Sequence, residues 1–202
     1  MYIYINKTIQ YFSDKMALNE KDGQYLINLA REAIEIYLDK QIKIDVPSEC
    51  PKHLKENLGV FVTLNKNQNL RGCIGYPEPV IPLIQATINA AISAAVSDYR
   101  FPKLRSDELE DIQIELTVLT KPELIDTPKE EYLDNIIIGE DGLIVEMGFS
   151  RGLLLPQVAT ENNMNAEEFL SHTCLKAGLS PNSWIEDDIK LYKFQGQIFH
   201  EK

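Results

Sequence analysis

Between Glu78 and Asp98 the chain carries no charged residue. Val80, Ile81, Leu83, Ile84, Ala86, Ile88, Ala90, Ala91, Ile92, Ala94, Ala95 and Val96 make this stretch apolar on almost every side of a helix, and such a helix has to be covered all round. Lipid is excluded as the cover. Pro79, Pro82, Gln85, Thr87, Asn89 and Ser93 interrupt the run and Ala outnumbers Leu in it, whereas a membrane span takes about 20 predominantly apolar residues. The spacing therefore predicts a small-faced helix packed closely by protein on both sides. Gln85, Asn89, Ser93 and Ser97 recur every fourth residue as one small polar stripe, expected to hydrogen-bond to its neighbours.

Asn19 to Lys40 reads as another helix, with Leu26, Ile27, Ala30, Ala33, Ile34, Tyr37 and Leu38 at three- and four-residue spacing. Arg31, Glu32, Glu35 and Asp39 lie around its other side, which reads as a solvated face. Ile112 to Thr120 alternates strictly and is the cleanest strand in the chain. Ile112, Ile114, Leu116 and Val118 face the core, while Glu115 and Thr117 share the other side.

Two short apolar runs, Val60 to Leu64 and Leu70 to Ile74, flank the tetrapeptide Asn65 to Gln68, which predicts a β-hairpin with a four-residue loop. Leu70, Gly72 and Ile74 then share one side, assigned to the core, and Arg71, Cys73 and Gly75 share the other. A guanidinium beside a thiol favours the thiolate, the reactive and metal-binding form. Glycines around the thiol leave room for a ligand or another backbone. A bulge glycine and a small buried Cys are the plainer reading of the same letters. After the apolar helix, Asp98-Tyr99-Arg100-Phe101-Pro102 leaves helical geometry at the proline, with Asp98 and Arg100 placed to pair locally.

Further on, Thr127-Pro128 reads as the cap and first turn of a short helix, and Asn135 to Gly139 with Gly142 to Gly148 reads as a second hairpin turning at Glu140-Asp141. Ser150-Arg151-Gly152 enters an apolar run that Pro156 ends, of a length that suits a buried strand. A last helix opens at Asn165 with Glu168 three residues on and closes at Gly178, burying Cys174 and leaving His172 at the surface. Ile189, Leu191, Phe194 and Phe199 then mark a terminal strand returning to the sheet. Antiparallel signals mixed with good helices give an α+β fold, mixed but largely antiparallel sheets flanked by helices.

With 31 acidic against 20 basic residues the formal charge is −11, which opposes binding to nucleic acid and to anionic membranes. Three scattered cysteines, Cys50, Cys73 and Cys174, give no disulfide framework and fit a reducing cytoplasm. The N-terminus lacks the pattern of a signal peptide. Residues 1–16 are expected to form an extension, packed as an added strand, ahead of a domain over 17–202. No phosphate loop, GxGxxG, HExxH, paired CxxC or GxSxG is present. Cys50-Pro-Lys-His53 and His172-Thr-Cys174 offer two Cys and two His, but not at a usual zinc spacing, and no metal site is assigned.

Three segments in order, Leu70 to Gly75 (LRGCIG), Asp98 to Pro102 (DYRFP) and Arg151 to Ala159 (RGLLLPQVA) with its continuation Glu168 to Leu179, resemble the AMMECR domain family, above all its archaeal members, the A component of the AmmeMemoRadiSam system. The likeness runs over residues 17–202. It implies two α+β subdomains of unequal size, the smaller inserted in a discontinuous larger one, with LRGCIG exposed near a groove. It implies no reaction and no cofactor. Memo-type and radical S-adenosylmethionine proteins are the partners it implies by association. By motif it carries over Leu70, Arg71, Gly72, Cys73, Ile74 and Gly75, then Asp98, Arg100, Phe101, Pro102, Glu115, Arg151, Pro156 and Gln157.

Two functional readings follow. In the first the protein is a thiol-using enzyme or a binder of small anionic ligands, with Cys73 as nucleophile or cofactor-adjacent thiol, Arg71 as its activator and anion grip, and Glu115 or Asp98 as acid or base. Leu70, Gly72, Ile74, Gly75, Arg100, Arg151 and Gln157 would line that site. In the second the hairpin is a docking surface for a protein partner, since Arg among apolar neighbours is a common hot-spot composition. An RNA-associated role comes third on charge. The first is favoured, because glycines around a polar strand face suit a small ligand better than a broad contact.

Overall fold

The computed structural model describes residues 18–202, so the expected strand in residues 1–16 lies outside the described residues. The described residues divide into two compact units, one of residues 18–120 with 197–202 and one of residues 121–196.

In the first unit α1 (Glu20–Lys40) starts at Asn19, whose side chain accepts the backbone N–H groups of Lys21 and Asp22 while Asp22 accepts that of Asn19. This reciprocal cap satisfies donors that the first turn leaves orphaned. Its stripe of Leu26, Ile27, Ala30, Ala33 and Ile34 is fully buried. The strands β1 (Gly59–Lys66) and β2 (Asn69–Tyr76) form the hairpin. Its turn is tighter than the sequence reading, because Asn65 and Lys66 continue the ladder and only Asn67 and Gln68, with φ of 50° and 64°, turn the chain. Two successive positive φ values match the right-handed strand twist in a two-residue connection.

The apolar stretch becomes α2 (Leu83–Val96), starting after Pro82 and packing on α1 and on both strands of the hairpin. Protein on both sides is the cover its composition demanded. Leu83, Ile84 and Ile88 are buried with the α1 stripe and Val60, Val62 and Leu64 in one core, each large side chain contributing about 2 kcal/mol. β3 (Ile112–Leu119) pairs antiparallel with β1, with Ile114, Leu116 and Val118 on the core side as the alternation requires.

Arg31 corrects the solvated face assigned to α1. It is half-buried and donates to Glu201 through two nitrogens, to the carbonyl of Ile112 at 2.7 Å and to that of Leu109 at 3.2 Å.

The second unit holds β4 (Glu123–Leu124), β5 (Asp141–Met147), β6 (Ser150–Leu154), α3 (Pro156–Glu161), α4 (Ala166–Lys176) and α5 (Ser183–Glu186). β7 (Lys190–His200) gives it residues 190–196 and ends in the first unit. β5 pairs antiparallel with β6 and β7, and β4 pairs with β7. The second hairpin is therefore β5–β6, turning at Gly148, and not the one read across Glu140-Asp141. The reason is the Asp141 carboxylate, fully buried, which accepts the N–H of Ile137 and the amide of Gln195 and folds residues 137–141 into a turn. Thr127 is not a cap either, since the turn Lys129–Glu131 is 3-10 and begins at Pro128 without a side-chain cap. The Arg151 segment is the half-buried second strand of this hairpin, and Pro156 opens α3. α4 is capped by Asn165 and Glu168 as read, Gly178 follows at φ 76°, and Phe169, Leu170 and Cys174 fill the core with Leu143, Val145 and Leu191.

Candidate functional site

β2 lies at the end of its sheet, so one row of its backbone groups lacks a strand partner. The segment following α2 supplies one. Asp98 accepts the N–H of Cys73 at 2.9 Å, and Arg100 donates to the Cys73 carbonyl at 3.2 Å. Asp98 and Arg100 are joined to each other through Arg100 Nε at 2.9 Å and Nη2 at 2.7 Å. This is the local pair the sequence suggested, and it satisfies the N–H and the carbonyl of Cys73 on the edge of the sheet. The Arg100 guanidinium, followed by the N–H of Cys73, holds the Asp98 carboxyl well below the usual carboxylate range. Arg100 also stacks its guanidinium on Phe101, 5.5 Å from the ring centre.

Arg71 is committed elsewhere than the anion-gripping role drawn from the sequence. Its Nε and Nη2 donate to the two oxygens of Glu108 at 3.2 and 3.0 Å, and its Nη1 donates to the carbonyl of Pro102 at 2.9 Å. Its side chain is only 12% accessible. Glu108 takes further bonds from Lys66 and from the N–H of Arg105, and its pKa falls from 4.5 to about 2, chiefly through Arg71. Arg71 is thus a bidentate clamp fastening residues 102–108 to the hairpin.

The glycines are filled from within. A Cβ on Gly72 would strike the carbonyl oxygen of Ala94 in α2, and one on Gly75 would strike the ring of Phe61. Both are close approaches between parts of the same unit, which is the backbone alternative of the sequence reading. Leu70 is 42% exposed and not in the core, because the register shifts at Arg71 and pairs Leu70 with Asn65, whose side of the sheet is the polar one, while Ile74 is half-buried against the core.

The face opposite the core keeps Cys73, Thr63 and Glu115 in one row across three strands. Cys73 stands opposite Thr63, and Thr63 opposite Glu115. The Thr63 hydroxyl donates to the Cys73 sulfur at 3.3 Å, and His200 Nδ1 lies 3.5 Å from a Glu115 oxygen. Directly opposite residues hold their Cβ atoms about 5 Å apart, so the row is a continuous strip of thiol, hydroxyl, carboxylate and imidazole. The structure brings Cys73 and Glu115 onto one face, with Asp98 at its edge. Arg151 and Gln157 belong to the second unit, where Arg151 pairs with Glu146 at 2.9 Å and Gln157 is exposed at the start of α3.

Thr63, Glu108 and His200 are missed by sequence reading. Alternation along β1 puts Thr63 on the polar side and was the available signal; nothing local announces Glu108 or His200. Among the described residues no group of three or more His, Cys, Asp or Glu is arranged to hold a metal. His53 instead pairs with Asp22 at 2.9 Å, and His172 meets the carbonyl of Glu168. No helix among the described residues is long and apolar enough to cross a membrane.

Residues 27–199 match the AMMECR1 family model. Protein PF1979 of Pyrococcus furiosus is 50% identical over 190 residues, covering 92% of this chain and 90% of that one. A protein of Methanothermobacter thermautotrophicus is 52% identical over 185 residues, 91% of this chain and 96% of its own. The crystal structure of the uncharacterized protein PH0010 from Pyrococcus horikoshii is similar with a TM-score of 0.83 at 48% identity, covering 93% of this chain and 95% of that one.

Proposed function

The chain belongs to the AMMECR1 family, and we propose that its open sheet face is a small-molecule site whose reacting group is the Cys73 thiol. The observation that carries this is the row Cys73–Thr63–Glu115, extended by His200. A nucleophilic thiol needs a group to take its proton and a group to orient it. Thr63 supplies the second, and Glu115 with His200, one strand beyond Thr63 and about 10 Å from Cys73 between Cβ atoms, would supply the first through a bridging water.

The reaction class that fits is acyl transfer. The sulfur forms a bond to the acyl carbon as the bond to the leaving group breaks with its electron pair. The thiol proton passes through a bridging water on this face to the Glu115–His200 pair and returns by the same water to the leaving group, leaving a thioester for water or a second nucleophile to open. An anionic part of the substrate would meet Arg100, which is 43% accessible, since Arg71 is held by Glu108.

The test uses iodoacetamide on a Cys50→Ser protein. Cys174 is fully buried, so Cys73 is the thiol that reports. Modification followed by mass spectrometry should proceed at Cys73 and slow about fivefold in Thr63→Val, which loses one hydrogen bond of about 1 kcal/mol to the sulfur, and slow also in Glu115→Gln, which removes the proton acceptor. An inert Cys73, or one modified at the same rate in all three proteins, would overturn the reading and leave protein docking as the alternative.

A further inference from the structure

The other side of the hairpin carries a second site. Beneath the end of β2 the first unit has an open hollow of about 280 Å³, walled by Tyr37 and Lys43, by Tyr76, and by Asn89, Ile92 and Ser93 of α2. Tyr37 also walls an adjoining hollow of about 290 Å³ beside Lys103 and Leu104.

Three observations bear on what it takes. Charge comes first: the chain has 31 acidic residues, yet neither hollow has an Asp or Glu in its lining. Lys43 is exposed at the rim and makes no ion pair among the described residues. Second, the polar groups of α2 are not used up internally. Gln85 donates to the Asn89 oxygen at 3.0 Å, which leaves the Asn89 amide hydrogens for other use, and the Ser93 hydroxyl has no bond among the described residues. Third, Tyr37 and Tyr76 are half-buried, presenting apolar ring surface together with phenolic hydroxyls.

We infer that this hollow binds a small ring-bearing anion, its ring against Tyr37 and Tyr76, its anionic group at Lys43 and its acceptors facing Asn89 and Ser93. The ammonium and the neutral donors give direction, and the rings give contact area, which is the usual division of labour in a small-ligand pocket. The site shares no residue with the Cys73 row, so it stands or falls separately from the acyl-transfer reading.

The experiment is a titration of the isotope-labelled full chain, followed by amide NMR, with 1-naphthyl phosphate, its neutral parent 1-naphthol, and inorganic phosphate. The naphthyl phosphate should shift the amides of Tyr76, Asn89 and Ser93 saturably and leave Cys73 unmoved. Naphthol should bind there more weakly, and inorganic phosphate should not shift them. Lys43→Gln should weaken the naphthyl phosphate about tenfold, the scale of one charge-assisted hydrogen bond, and Lys43→Arg should restore most of it. Lys43 is exposed, so these variants keep the fold. Absence of saturable shifts at those amides, or equal binding by Lys43→Gln and the parent protein, would overturn the inference.

Discussion

The carbonyl oxygen of Ala94 occupies the space into which a Cβ on Gly72 would project. The glycine of the LRGCIG signature is therefore the point where α2 seats on the hairpin. The second unit repeats the device: a Cβ on Gly152 would strike the backbone of Thr173 and Ala177 at the end of α4, and the neighbouring Arg151 pairs with Glu146 as Arg71 pairs with Glu108. Gly72→Ala should destabilise the protein by about 2 kcal/mol or more, because the obstacle is backbone and cannot turn aside. Urea unfolding would measure it. An unchanged midpoint would mean that α2 does not bear on Gly72.

The Arg31–Glu201 pair leads to a second expectation. Arg31 ties α1 to Leu109, Ile112 and Glu201, and Glu201 in turn accepts the N–H of Ile114 at 2.9 Å. Arg31→Met, which keeps the stem, should cost about 2 kcal/mol, most of it from the carboxylate and carbonyls left unpaired. Removing Glu201 and Lys202 should cost a similar amount, and the two changes together less than their sum. Additive losses in the double variant would show that the two groups act independently.

These two cases mark how far the letters could be read. Hydrophobic period located α1, α2, β3 and α4, because burial on one face leaves a local trace. The capping pairs Asn19–Asp22 and Asn165–Glu168 lie three residues apart, and the second was visible for that reason. Arg31 looked like one more polar residue on an outer face, since its partner is 170 positions away. Arg71 stands where the β1–β2 register shifts, so strict alternation from Cys73 does not carry across it, and alternation in any case gives a side and not a partner; Glu108 took the guanidinium. The Asn135–Gly142 segment misled because its glycines imitate a hairpin, while the buried carboxylate that folds it has no local signature.

Glu108 gives a pH dependence. Its pKa in the fold, about 2, is below the ordinary 4.5, so the stabilisation is fully present above the ordinary value and is lost as the pH falls toward 2. Asp98 acts in the same direction. Glu108→Gln should therefore be less stable than the parent by about 2 kcal/mol at neutral pH, the worth of a charge-assisted pair. The gap should narrow at about pH 3 as the parent loses its advantage. Chemical unfolding at the two pH values would show it. A gap that does not change with pH would assign the stabilisation to packing instead.

The Asp98–Arg100 pair is unequal, since the carboxylate side chain is 2% accessible and the guanidinium 43%. Removing the cation alone leaves a buried anion with one N–H donor from Cys73 and one from Arg100. Removing both charges leaves only polar groups, which is milder. Arg100→Gln should thus cost about 2 kcal/mol, and adding Asp98→Asn should return part of that loss instead of deepening it. The same cycle reads the site. Asp98 fixes the backbone of Cys73, so Arg100→Gln and the double variant should both alter the rate at which iodoacetamide modifies this thiol. Strictly additive stabilities with an unchanged rate would make the pair an ornament of the sheet edge, with no hold on the strand that carries Cys73.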